Sequence, residues 1–211
     1  MHFSGTDLSC MRGGRAVFDR LSVTLAPGDI LTLTGRNGSG KTSLLRLMAG
    51  LSPPAAGAFS WQDGPVTEDP ERHYSRIAYI GHADALKPVL TAGENLRHWA
   101  AMREPAVSVE RISSALATFG LAPFTDTAAR YLSAGQRRRL ALARLLTVDA
   151  PLWLLDEPTI ALDADSRAVL YDVLKQHRDA GGMAAIATNV ALEIEATRTL
   201  DMAAFAAEPA A

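Results

Sequence analysis

The sequence is short of cysteine, of lysine and of long apolar runs; the first and last exclude whole classes, and the second makes each lysine informative. Cys10 is the single cysteine in 211 residues and can form no internal disulfide, so a reducing compartment is expected. No stretch approaches the roughly 20 apolar residues that a membrane-spanning helix needs. The longest apolar patches, Leu152 to Leu155 and Met183 to Ala187, have the length of buried strands. Met1 to Asp7 lack a basic segment leading into an apolar core, so no secretory signal is expected. The expectation is a soluble, cytosolic chain that reaches a membrane only through a partner. An excess of one charge is missing too. Twenty-one basic residues face 23 acidic ones, for a net charge of −2, which argues against a nucleic-acid binder. His2, His73, His82, His98 and His177 fall at no zinc-like spacing, and no cysteine pair joins them.

What is present suits one globular domain, with 48% hydrophobic residues. Leu21, Val23 and Leu25 alternate into the turn at Pro27-Gly28, and Ile30 to Thr34 reads as the next strand. Leu44, Leu45, Leu47, Met48 and Leu51 recur at helical spacing up to a stop at Gly50 and Pro53-Pro54. Phe59 and Trp61 lead into Asp63-Gly64, a hairpin signal, and Ile77 to Ile80 is a further strand. Thr91 and Glu94 form a capping box, opening a helical stretch interrupted at Pro105, Gly120 and Pro123. A helix from about Ala134 to Leu146, a strand Leu152 to Leu155, a helix from about Ala164 to Arg178 and a strand Ala184 to Thr188 follow. This alternation predicts an α/β fold: a mostly parallel core sheet, an antiparallel flank from the early strands and a helical insertion at about 85–130. One domain over 1–203 is expected, with residues 204–211 a frayed tail.

Three segments carry chemistry. Gly35-Arg36-Asn37-Gly38-Ser39-Gly40-Lys41-Thr42 follows a strand and opens a helix, and it matches G-x-x-x-x-G-K-[ST]. Its glycines let backbone N–H groups approach phosphate oxygens, and the helix start adds donors and partial positive charge. Lys41, one of only three lysines, supplies a point charge for the β- and γ-phosphates, and the Thr42 hydroxyl can ligate Mg²⁺. The loop, taken to Ser43, is expected to bind a nucleoside triphosphate. Leu152 to Leu155 then delivers Asp156 and Glu157 to the carboxyl edge of the sheet. Asp156 would hold Mg²⁺, and Glu157 would orient and deprotonate the attacking water. Third, Leu132-Ser133-Ala134-Gly135-Gln136 precedes Arg137-Arg138-Arg139, whose charges read as the solvated basic face of a capped helix.

Together these motifs resemble the ATP-binding subunits of ABC transporters over nearly the whole chain. The resemblance implies a P-loop NTPase fold of ABC type, hydrolysing ATP with Mg²⁺. It implies a head-to-tail homodimer in which Ser133, Ala134, Gly135 and Gln136 cap the γ-phosphate of ATP bound on the other subunit. Two copies of an integral membrane permease would be its partners at the cytoplasmic face of the bacterial inner membrane. Within the superfamily, Ile80-Gly81-His82, Lys87, Leu90-Thr91, Glu94-Asn95-Leu96 and Leu132 to Arg138 resemble the ATP-binding subunit of the cytochrome c maturation, or haem, exporter. His82 stands where most ABC ATPases have glutamine, on the surface that receives the partner's coupling helices. The sequence has no C-x-x-C-H for covalent haem attachment, and no direct haem contact is evident.

Three positions depart from the ABC pattern. Arg12 falls where many relatives stack an aromatic on adenine, a task that a guanidinium plane can also perform. Ile160-Ala161-Leu162-Asp163 resembles the D-loop, with isoleucine in the usual serine's place and Asp163 expected to reach across the dimer. Asn189, after Thr188, stands where the family has a histidine that contacts the γ-phosphate. It can donate a neutral amide hydrogen bond but cannot become cationic, so slower turnover is expected. A slow, ATP-gated clamp regulating a membrane complex is the alternative to a pump. A small GTPase is disfavoured because N-K-x-D is absent. A soluble ABC protein of DNA repair or translation is disfavoured because its coiled coil or second domain does not fit in 211 residues.

Overall fold

The computed structural model describes residues 1–103, 106–195 and 197–206. The short apolar runs become strands buried on both faces, as expected when a parallel sheet is covered on each side. β3 (Ile30–Thr34), β6 (Ile77–Ile80), β7 (Leu152–Asp156), β8 (Met183–Ala187) and β9 (Arg198–Asp201) form a parallel sheet in the order β6-β7-β8-β3-β9. A second, antiparallel sheet has the order β2-β1-β4-β5, from β1 (Phe3–Arg12), β2 (Arg15–Leu25), β4 (Ala56–Trp61) and β5 (Gly64–Pro65).

The two-residue period of the central strands divides the interior into two cores. Leu31, Leu33, Leu152, Leu154, Met183 and Ala185 face one of them. There they meet α1 (Lys41–Met48), through Leu44, Leu45 and Met48, and the antiparallel sheet, through Phe3, Leu8, Phe18 and Phe59. Helix α1 therefore shares one core with both sheets. Trp153, Leu155, Ala184 and Ile186 face the other core. Past the short α2 (Pro70–Ser75), it is built on α3 (Ala92–Ala101), α4 (Val109–Thr118), α5 (Ala134–Ala143) and α6 (Ala164–Asp179).

Between β6 and α5 run α3, α4 and two 3-10 turns, Ala122–Phe124 and Ala129–Tyr131. Pro105, expected to interrupt this stretch, lies outside the described residues. The Thr91 capping box is formed: its hydroxyl accepts from Glu94 N at 3.2 Å, and Glu94 Oε2 accepts from Thr91 N at 2.8 Å. Buried Asn95 holds the preceding loop, accepting from Lys87 N at 2.8 Å and donating to the carbonyls of Lys87, Leu90 and Thr91.

Four features differ from the sequence reading. α5 tightens at Arg144 into a 3-10 turn to Thr147 instead of running as α-helix to Leu146. Strand β1 carries no clean alternation, because Asp7 adopts a left-handed φ of 49° and the pairing with β2 shifts register beside it. β9 is a four-residue edge strand with mostly exposed side chains, too polar to signal itself. The tail expected from 204 begins in a 3-10 turn, Met202–Phe205, with Met202 fully buried and a bridge between Phe18 and Ala206. Residues 207–211 lie outside the described residues.

Candidate functional site

Three parallel strands end beside one another, and each releases a polar residue at its carboxyl edge, where ligands of open α/β sheets bind. β3 runs into the loop from Gly35 to Gly40, β7 ends in Asp156 and Glu157, and β8 is followed by Thr188 and Asn189. Gly40, the N-cap of α1, has φ 100°, a conformation that L side chains rarely adopt. A Cβ there would lie 2.9 Å from both Val17 Cγ1 and Phe18 Cδ1, so β2 packs directly on the loop. A Cβ on Gly35 would lie 2.8 Å from Ser39 Oγ, which is buried without a hydrogen-bond partner. The loop is thus a tight cradle whose backbone shape depends on glycine, with one orphaned hydroxyl in it.

Lys41 is buried at the start of α1 and folds back on the loop: Nζ donates to Gly35 O at 2.6 Å, Arg36 O at 3.4 Å and Asn189 Oδ1 at 2.9 Å. The other end of the Asn189 amide donates to Glu157 Oε1 at 2.8 Å and Asn37 Oδ1 at 3.1 Å. One carboxamide therefore joins the loop lysine, the loop asparagine and the strand-end glutamate. Beside this group the Thr42 hydroxyl donates to Asp156 Oδ1 at 3.0 Å. Glu157 has a left-handed φ of 48°, and its N–H donates to Ala187 O at 2.8 Å, fixing the turn against β8.

The other expected residues lie around this centre. His82 is exposed on the rim of a cleft of about 540 Å³ whose lining also includes Thr42, Asp156, Tyr79, Trp99 and Arg144. Burial and the nearby Asp156 carboxylate push the Tyr79 hydroxyl pKa up, so it stays protonated. Arg12 is exposed at the end of β1, opposite Arg15 across the hairpin. Ser133 caps α5 in a capping box with Gln136: Gln136 N donates to Ser133 Oγ at 3.1 Å and Ser133 N to Gln136 Oε1 at 2.7 Å. Ser133 and Ala134 are exposed, while a Cβ on Gly135 would lie 2.9 Å from Ala161 O. Asp163 caps α6 and accepts from Ser166 N at 2.9 Å. Hydrogen bonds from Ser166 hold its carboxyl below the ordinary range. Among the described residues no hydrogen bond joins Ser133–Gln136 to the 35–43 loop.

The reading of Arg137, Arg138 and Arg139 as a solvated face is corrected at its middle residue. Arg138 is 3% exposed and donates to the carbonyls of Asp156, Glu157, Pro158 and Gly81 and to the Asp84 carboxylate. The sequence carries no signal of this burial, because a run of three charges reads as a solvated face. Asn37 is the second surprise, since its pairing with Asn189 spans 152 positions.

A family model described as ABC transporter matches residues 18–160. The chain is 48% identical to a cytochrome c biogenesis ATP-binding export protein, CcmA, of Paramagnetospirillum magneticum, over 97% of this chain and 95% of that one. It is 49% identical to the protein of the same description from Rhodospirillum rubrum, over 98% of this chain and 88% of that one. Among solved structures, a putative ABC transporter ATP-binding protein from Pyrococcus furiosus shares the fold at TM-score 0.86 and 22% identity, covering 98% of this chain and 100% of that one. A dimeric ATP-binding cassette in a post-hydrolysis state, bound to ADP and Pi, is similar at TM-score 0.79 and 24% identity, covering 89% of this chain and 88% of that one.

Proposed function

The chain belongs to the ABC transporter ATP-binding proteins, and among them to the cytochrome c biogenesis export proteins CcmA; we infer that it hydrolyses ATP to drive an exporter in c-type cytochrome maturation. The observation that supports this most directly is the convergence of Lys41, Asn189 and Glu157, with Thr42 and Asp156 alongside, at one sheet edge. The loop amides and Lys41 take the phosphates, and Glu157 receives the proton of the attacking water. Asn189 touches both the phosphate lysine and the glutamate, so it sets their relative placement.

A magnesium ion fits the adjacent hydroxyl and carboxylate oxygens of Thr42 and Asp156, a hard oxygen pair of the type Mg²⁺ selects. When bound, it neutralises charge on the transferring phosphoryl group. Ser133 and Ala134 are exposed at the capped start of α5, open to a second copy, which supports a shared site between two copies arranged head to tail. Arg12 lies on the sheet that packs on the loop, and it is the residue offered to the base. No helix among the described residues is long and apolar enough to cross a membrane. The chain would work as a peripheral homodimer on the cytoplasmic face of the inner membrane, under two copies of a permease subunit. His82 and the cleft beside it would receive that partner. Neither nucleic acid nor direct haem contact enters this reading.

ATP turnover by the chain co-purified with its membrane subunit tests it. Turnover that disappears in a Glu157→Gln form, with ATP still bound and two chains associated, is the expected result. A Glu157→Gln form that hydrolyses ATP as the parent does overturns the assignment. One observation favours the second reading, a slow ATP-gated clamp: Asn189 is neutral at every pH. ATP-dependent association without measurable turnover in the complete complex would select it.

A further inference from the structure

We infer that Arg138 is a positioning residue for Glu157: its buried guanidinium holds the turn that aims the carboxylate and ties that turn to the segment carrying His82. The inference rests on the reading of Glu157 as the group that addresses water. Arg138 lies on α5, behind the signature turn, and is almost fully enclosed. Its Nη2 donates to the carbonyls of Asp156 and Glu157, each at 2.9 Å, and its Nε donates to Pro158 O at 3.3 Å. Three consecutive carbonyls of one turn are thus gathered on one planar group.

That turn needs holding. A non-glycine residue in left-handed conformation persists only where its surroundings over-determine it, and Glu157 is such a residue. β8 fixes its amide side through Ala187 O, and Arg138 fixes its carbonyl side. The third edge of the guanidinium faces elsewhere: Nη1 donates to Gly81 O at 3.0 Å and to Asp84 Oδ1 at 3.3 Å. Gly81 and Asp84 bracket His82, so the segment on the cleft rim and the turn bearing Glu157 share one side chain. Burying a cation is costly unless it is fully hydrogen-bonded, and a helix cap requires no such burial. Only a guanidinium can serve these directions at once; an ammonium lacks the planar fork.

The test uses the chain assembled with its membrane subunit, reading ATP turnover against ATP concentration together with Mg·ATP binding. Arg138→Gln is expected to lower kcat by about 100-fold through misplacement of Glu157, while KM and nucleotide affinity stay within about twofold. Arg138→Lys should recover only part of the loss. Asp84→Ala should lower kcat by roughly tenfold and cause no further loss when combined with Arg138→Gln, because both act through one group. Parental kcat in Arg138→Gln, equal losses of kcat and affinity, or additive effects in the double variant would each overturn the inference. If Arg138→Gln does not fold, Asp84→Ala decides alone: reduced kcat at unchanged KM supports the inference, and unchanged kcat overturns it. A Glu157→Gln form as active as the parent would sink the functional reading and this inference together. Parental turnover in Arg138→Gln beside an inactive Glu157→Gln form would sink this inference only.

Discussion

Asn189 Nδ2 donates to Glu157 Oε1 at 2.8 Å, which joins the turns that follow β7 and β8 into one hydrogen-bonded unit. The same amide accepts from Lys41, so its oxygen and nitrogen ends are committed to opposite tasks. A neutral imidazole offers one donor and one acceptor, and a cationic one offers two donors. The consequences of exchanging one group for the other are therefore measurable.

Asn189→His should raise turnover about tenfold, a fraction of the roughly 10²–10³ attached to a whole transition-state donor, because the parent retains one hydrogen bond. Mg·ATP affinity should not change. The variant should also acquire a pH dependence centred near the ordinary histidine value of about 6.5, which the parent lacks at this position. Phosphate release at saturating ATP between pH 5.5 and 8 reads both effects. Equal rates in the two proteins would remove Asn189 from the hydrolytic step.

His82→Ala should leave Mg·ATP binding unchanged while reducing the stimulation of ATPase activity by the membrane subunit. The residue is exposed on the cleft rim, and the phosphate loop holds its shape through its own contacts. Nucleotide titration and ATPase assay with and without the membrane subunit separate the two. Parallel loss of binding and stimulation would count against a coupling role.

Gly135→Ala places a methyl group 2.9 Å from Ala161 O, closer than a Cβ tolerates, so the signature turn must move away from the 160–163 turn. We expect a kcat loss of roughly tenfold or more with little change in ATP affinity, because in the proposed head-to-tail dimer the displaced turn would face the other copy's nucleotide. In the Glu157→Gln background it should also weaken ATP-driven dimerisation. Sedimentation with Mg·ATP checks this directly, and an unaffected dimer would contradict it.

His177 stacks on Trp153 with ring centroids 3.7 Å apart, and burial lowers its pKa below the ordinary 6.5. Burial shifts His73 in the same direction. With folded pKa values depressed, the unfolded chain takes up protons first. Stability is full above about 6.5 and falls as pH drops from there towards the folded values. Urea unfolding at pH 7.5 and 5.5 should show a loss for the parent and a smaller loss for His177→Phe, which keeps the stack but cannot titrate. An equal loss in both would assign the acid sensitivity elsewhere.

The sequence made the central strands legible because they are buried on both faces, and unbroken apolar runs such as Leu152 to Leu155 have no other stable fate at that length. The phosphate loop was legible because glycine and lysine occupy fixed offsets between a strand and a helix. β1 was not, because its bulge at Asp7 breaks the two-residue period. Arg138 was hidden for a different reason. Charge in a run of three predicts solvent, and only the folded chain shows four carbonyls and a carboxylate around the middle member. The contact of Asn189 with Lys41 spans 148 positions and follows from strand order, which no local pattern encodes.

Helix α1 begins at the cradle and ends among side chains of both sheets, so it works as a bolt driven through the scaffold. Grip on its head is felt along the whole shank: a triphosphate held there resists not merely fraying of a loop but separation of the two layers. Occupancy of the cradle should thus harden the molecule globally, slowing amide exchange in β1 and β4 as well as in β3.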